Sequence, residues 1–244
     1  MSSQQGINWC SSTWYSTFLD SIPAARTAAE IAFLTRQLPR SSFARVLDVC
    51  CGPGRHALPL AELGHTVTGV DRDAEVVRCA LAAARSAGLR DVGFVQADMR
   101  ALPLAGSWDA VLNLWASFGY FDGATNEQVL FDLADRLRPG GRFILDVYHR
   151  SFFERHTGER DLERAGVRFR ERKHVVADRL HVELYYEETG ETDRFEWQVW
   201  TPSGLSALAE RAGLATVLAC AGWNEGVAAA PEQPRMQLVF ERAG

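Results

Sequence analysis

The sequence predicts a doubly wound α/β fold, a mostly parallel sheet with helices on both faces, and three observations carry that expectation. From position 45 short apolar runs alternate with longer stretches of helical periodicity, the pattern of parallel strands joined by right-handed crossovers. The first such unit, residues 46–56, passes from an apolar strand through a tight glycine turn into a helix. Near position 159 the texture changes to alternating charged and apolar residues, which suits a half-exposed antiparallel sheet.

Ahead of the alternation, Ala28, Ile31, Leu34 and Leu38 repeat at helical spacing between Pro23, suited to a first turn, and Pro39, which stops the run. A helix over 24–38 is expected, within an N-terminal helical cap of residues 1–40. Strands follow at 45–50, 66–71, 92–97, 109–114 and 141–148, with helices near 55–63, 74–87 and 126–138. The run Leu137-Arg138-Pro139-Gly140-Gly141 reads as a helix stop and a turn into the fifth strand. Residues 159–200 form a small antiparallel insertion, a lid or a dimer surface, with strands at 168–174, 180–186 and 195–200 and a turn at 188–191. Helical spacing resumes over 202–214. The last strands, near 214–222 and 236–242, have no helical crossover between them and are expected to pair as an antiparallel C-terminal hairpin. Residues 41–244 then make one domain carrying the insertion.

A chain of 244 residues can bury a substantial single core. Its composition, 47% apolar and 23% charged, is that of an ordinary globular protein. The formal charge of -5 argues against a broad nucleic-acid footprint and favours a small-molecule partner. Cysteines 10, 50, 51, 79 and 220 form no Cys-x-x-Cys pair and no zinc spacing, so reduced thiols and no metal are expected. No apolar run approaches membrane length and residues 1–30 lack a leader pattern, hence the expectation of a cytoplasmic protein with no membrane partner.

The chemistry is concentrated at strand ends. Gly52 and Gly54 let the backbone approach a ligand closely, and the amides opening the next helix offer donors and partial positive charge. Asp71 closes the next strand, where a carboxylate can take two ribose hydroxyls. Gln96-Ala97-Asp98-Met99 ends the third strand, so successive strands deliver an acid to one sheet edge. Gly52 to Ala57 also satisfies the relaxed G-x-G-x-x-A pattern, so the loop alone does not separate NAD from another adenosine cofactor. Asp71 or Asp73 also suits the N-cap of helix 74–87. Cys50 and Cys51, adjacent on a strand, point to opposite faces and read as small buried residues.

With VLDVCCGPGRH, VTGVD, QADMRALP and LRPGG in order and properly spaced, the chain resembles the class I S-adenosylmethionine-dependent methyltransferases of the small-molecule type over residues 25–242. The resemblance implies a Rossmann-like sheet, S-adenosyl-L-methionine as cofactor with S-adenosyl-L-homocysteine as product, and methyl transfer to nitrogen or oxygen of a small molecule such as a secondary metabolite. It implies that Asp48, Gly52 and Gly54 line the methionine portion together with Cys50, which stands where the family pattern has a glycine, and Arg55. Asp71 would hold the ribose, Arg72 flank the adenine, Asp98 and Met99 cap the ring, and Asn113 face the sulfonium.

On the acceptor side, Trp115, Phe118 and Tyr120 belong to an aromatic loop after strand four that either lines the acceptor pocket or seals the core. Trp14 and Tyr15 either close over the cofactor or pack on helix 24–38. At the end of strand five, Asp146 is a candidate to orient the acceptor and Tyr148 and His149 are the catalytic candidates, His149 because its ordinary pKa near ~6.5 suits proton removal. Arg55 and His56 also read as solvated helix residues, which for His56 is the favoured alternative. Segments 159–200 and 9–20 are expected to cover the acceptor, so that deleting the former would spare cofactor binding. The expected partner is a small-molecule methyl acceptor, with no nucleic acid, and the chain is a monomer or homodimer. The alternatives are an RNA or protein methyltransferase, for which no basic module or RNA-binding motif is visible, and a catalytically silent cofactor-binding module.

Overall fold

In the computed structural model, which describes residues 7–244, the alternation becomes five parallel strands. These are β1 (Arg45–Val49), β2 (Thr66–Asp71), β3 (Val92–Gln96), β4 (Trp108–Asn113) and β5 (Leu137–Tyr148). β1 lies between β2 and β4 and is buried along Val46–Val49, as a central strand covered on both faces must be. Alternate residues serve two cores. Leu47, Val49, Val111 and Phe143 pack under α5 (Gly123–Asp135) and α7 (Pro202–Arg211). Val46, Leu112 and Ile144 pack under α2 (Ala24–Gln37), α3 (Ala57–Glu62) and α4 (Ala74–Ser86).

Helix ends follow their caps. Asp73 accepts from the amides of Glu75 and Val76 to start α4, and Asp122 accepts from the amide of Thr125 to start α5 three residues ahead of the expected 126. The stop-and-turn expected at 137–141 is corrected. α5 ends at Asp135, and Leu137 already pairs with Trp108, so the Pro-Gly-Gly run lies inside β5 beside a register shift.

The insertion is a separate four-stranded antiparallel sheet, β6 (Gly158–Arg164), β7 (Val167–Val176), β8 (Arg179–Tyr186) and β9 (Thr192–Gln198). It is reached through a short helix, α6 (Arg150–Arg155), that the sequence did not announce. Its inner face is a third core of Phe169, Leu180, Leu184, Tyr186, Phe195 and Trp197, joined by Trp14 and Phe18 of the N-terminal segment. That segment is one turn of α1 (Ser12–Trp14) running into a π-helical turn, Tyr15–Leu19.

At the C-terminus, β10 (Leu214–Ala221) and β12 (Arg235–Arg242) pair antiparallel as expected, and a short strand between them, β11 (Asn224–Ala228), adds an exposed edge. β12 sits between β5 and β10, giving the order β3-β2-β1-β4-β5-β12-β10-β11. The carboxyl ends of β1, β2, β4 and β5 therefore share one rim with the first residues of β12, the rim where open α/β sheets bind ligands. Among the described residues, no helix is long and apolar enough to cross a membrane.

Candidate functional site

The chain leaves β1 through three left-handed residues within five, Cys50 at φ 62°, Gly52 at 57° and Gly54 at 87°. Cys50 thus adopts the backbone that a glycine would take at that position. A Cβ added at Gly52 would meet nothing within 4 Å, so open space faces this turn. A Cβ at Gly54 would press on the Phe94 ring at 3.0 Å and Leu58 at 3.1 Å, so Gly54 serves close packing of the turn and does not itself border the space above. Asp71 accepts from the amides of Gly52 and Asp73, each at 3.0 Å. It thereby ties the turn to the start of α4, while Asp73 takes the capping role.

Above this turn lies a single cavity bordered by Asp48, Cys50, Gly52, Arg55, Asp71, Arg72, Asp98 and Met99, with Trp14, Tyr15, Trp115 and Tyr120. Asp48 is buried and its Oδ2 has no partner. Burial first, and the Asp71 charge second, push its carboxyl up to about 7. Burial also raises Asp71, against the pull of its two amide hydrogen bonds. Asp98 is held below the usual carboxylate range by Arg100, which reaches it at 2.6 Å. Cys50 faces Met99, with Sγ and Sδ 4.0 Å apart, and Cys51 enters the opposite core. Trp14 packs against Phe18 of its own segment and Phe195 of the insertion, so the N-terminal rings close over the cavity and lean on the lid.

Six candidates lie off this wall. Gly54 packs as described. Asn113 is buried beneath the floor and donates from Nδ2 to the Val49 carbonyl at 3.3 Å. Phe118 stacks on Trp200 at 5.0 Å in the core, so the aromatic loop divides, Trp115 and Tyr120 facing the cavity and Phe118 sealing the interior. Asp146 faces Arg235 and Gln237 of β12 and accepts from the Trp115 amide at 3.0 Å. With two donors on each of its oxygens it holds the loop in place and has no acceptor position left to grip a ligand. Tyr148 meets Phe153 and Trp197 edge-on at 5.0 and 5.1 Å. His149 stands at the N-cap position of α6 with no side-chain capping bond and makes a backbone bridge to Trp200, with burial lowering its pKa.

The solvated alternative for Arg55 and His56 is corrected. Glu30, fully buried on α2, binds Arg55 at 2.6 Å, His56 at 2.8 Å and Arg26 at 3.1 Å. Burial alone would raise its carboxyl, yet the His56 hydrogen bond and the Arg55 charge hold it at about 2. Burial pulls His56 below its ordinary value, toward the neutral imidazole. Trp115, itself left-handed at φ 61°, lies under three guanidinium groups, those of Arg26, Arg55 and Arg235, at 5.0 to 5.3 Å. Arg55 Nη2 and Trp115 Nε1 are buried without partners. Arg26, Glu30 and Arg235 carried no signal in the sequence: Arg26 with Glu30 is by itself an ordinary i,i+4 helix pair, and the residues that tie all three to this wall, Arg55, His56 and Trp115, lie on distant elements. Among the described residues, no group of three or more metal-ligating side chains comes together.

Residues 46–141 match a family model described as a methyltransferase domain. The chain is 30% identical over 142 residues to glycine N-methyltransferase of Rattus norvegicus, covering 52% of this chain and 47% of that protein. Its fold is similar to that of an S-adenosylmethionine-dependent methyltransferase from Clostridium acetobutylicum, with a TM-score of 0.78 at 15% identity over 94% of this chain and 96% of that one. It is also similar to that of CalS10, an amino pentose methyltransferase from Micromonospora echinaspora solved with S-adenosylmethionine bound, with a TM-score of 0.69 at 20% identity over 98% and 100% of the two chains. The chain spans about a third to a half of the length of the curated relatives it matches.

Proposed function

From the methyltransferase-domain match over residues 46–141 and the fold it lies in, we propose that the chain is a class I methyltransferase that transfers a methyl group from S-adenosylmethionine to a nitrogen or oxygen of a small molecule, an amine being the acceptor the cavity suits best. The observation that carries this is one cavity that joins unspent polar atoms to an aromatic wall. Asp48 Oδ2, Arg55 Nη2 and Trp115 Nε1 are buried without partners, and open space lies over Gly52. These atoms fit the two charged ends of an amino-acid tail, the Asp48 carboxylate toward its ammonium and the Arg55 guanidinium toward its carboxylate. Asp71 fits the ribose, with Arg72, Asp98 and Met99 around the base. The bound group supplies an electrophilic methyl on a sulfonium.

The residues then align and desolvate. An acceptor amine would enter as the free base and take the methyl with its lone pair, sulfur keeping the electrons of the carbon–sulfur bond and the amine proton passing to water. Tyr15 and Tyr120 stand half-buried beside the cavity, and desolvation raises both phenols above their usual range. They stay protonated and orient an acceptor by hydrogen bonding. Charge disperses in such a displacement, so alignment in a dry site supplies most of the rate.

Incubation with methyl-labelled cofactor and a panel of amino sugars, amino acids and hydroxylated small molecules tests the proposal. Label in a small amine or alcohol, with one equivalent of S-adenosylhomocysteine formed, is expected. Label only in added RNA or protein would overturn the acceptor class. Binding of S-adenosylhomocysteine with no transfer to any acceptor would leave a silent binding module.

A further inference from the structure

The cavity is roofed by residues that precede α2, and the roof is fastened to the lid. Trp9, Cys10, Trp14 and Tyr15 border the cavity from above. Asn8, buried and left-handed at φ 63°, joins three elements at once. Its amide donates to the Arg194 carbonyl at 2.9 Å, and its Oδ1 accepts from the Glu196 amide at 2.8 Å, so it grips β9 as a short strand would. Its Nδ2 donates to the Tyr120 carbonyl in the aromatic loop at 3.4 Å, and its own carbonyl accepts from the Arg72 guanidinium at the end of β2. Three residues on, the amide and hydroxyl of Ser11 donate to Asp193 at 3.1 and 2.7 Å, and the Tyr186 hydroxyl donates to the same carboxylate at 2.8 Å. Asp193 is 1% exposed, so this contact is made inside the lid and out of water.

We propose that Asn8 and Ser11 are positioning residues that latch the strap of residues 8–15 to β9, so that holding the cofactor and ordering the lid are one event. The latch rests on the cofactor reading above and concerns its coupling to the lid. Since the strap covers the cavity, S-adenosylhomocysteine leaves only when the strap lifts, and the strap lifts only when its bonds to β9 break. By reciprocity, a ligand held under the strap stiffens β9.

The test uses the full chain, with S-adenosylhomocysteine as probe. Asn8→Gly keeps the left-handed backbone free of strain and removes the side-chain bridge. Ser11→Ala removes the hydroxyl bond to Asp193 together with the cap that the same oxygen gives the Trp14 amide, and leaves the apolar side chains of the lid in place. Each variant is expected to release S-adenosylhomocysteine about tenfold faster or more, read by stopped-flow tryptophan fluorescence. In the parent chain, hydrogen exchange is expected to show the Glu196 amide gaining protection when S-adenosylhomocysteine binds, and in Asn8→Gly that response is lost while the Gly52 amide stays protected. Unchanged release rates in both folded variants, or a Glu196 amide indifferent to S-adenosylhomocysteine in the parent chain, would overturn the latch alone. A parent chain that binds no S-adenosylhomocysteine would overturn the cofactor reading and the latch with it.

Discussion

Asp48 illustrates how a single residue is set against stability for the sake of a site. Its folded pKa, about 7, lies above the ordinary carboxylate value. The stability this group contributes is therefore fully present below about pH 4 and lost as pH rises through about 7. Asp48→Asn, which cannot ionise, is expected to make the free chain more stable than the parent at pH 8, by roughly 1–3 kcal/mol, and to differ little near pH 4. Urea midpoints at the two pH values check it. The same variant is expected to weaken S-adenosylhomocysteine binding tenfold or more by calorimetry, a gain of stability with loss of function. Equal midpoints at pH 8 would mean that Asp48 is not ionised at a cost. The glycine turn and Asp71 were legible because their conformations and strand-end positions are local properties. Glu30 was not, since of its three partners only Arg26 shares its helix, and Arg55 and His56 reach it from the turn that opens α3. Asp146 shows the same limit, its strand position pointing to the rim while Arg235, 89 residues on, occupies it.

At the scale of elements, the junction between the aromatic loop and the lid is the least forgiving contact. Gly119 has φ 108°, and a Cβ there would stand 2.6 Å from the Gln198 carbonyl and 3.1 Å from the Trp200 ring. The Gln198 amide also donates to the Gly119 carbonyl at 2.7 Å, so the two backbones cannot part without losing that bond. Gly119→Ala is expected to destabilise the chain by about 2 kcal/mol or more, read by thermal melting, with the lid's tryptophan fluorescence shifting toward solvent. A melt within experimental error of the parent would refute the tight junction. The central strands were readable because buried parallel strands are continuous apolar runs. β6 escaped notice because it is an edge strand with one apolar residue, Leu162, and is held by cross-strand ion pairs such as Arg160 with Glu171 and Arg170 with Asp161, both at 2.8 Å. A solvated strand of that kind has the composition of a loop. α6 and β11 are six and five residues long, too short for periodicity to declare them.

For the whole molecule, the sheet and the lid do not divide the labour as their sequence textures suggest. Lid residues 159–200 were expected to be dispensable for cofactor binding, yet the strap over the cavity is bonded to Asp193, Arg194 and Glu196 of β9. Replacing residues 158–198 by a short flexible linker is expected to lower S-adenosylhomocysteine affinity tenfold or more in a chain that keeps its parallel sheet by circular dichroism; undiminished affinity would restore the simpler division. The order of the sheet has a consequence of another kind. The final strand, Arg235–Arg242, threads between β5 and β10. β10 and β11 reach the rest of the sheet only through this strand, so although they precede it in the chain they have nothing to dock on until it is in place. Excising residues 235–242 would take out a stave that has neighbours on both sides and let the two apolar layers meet water along it, and such a variant should go to proteolysis as surely as one cut far upstream.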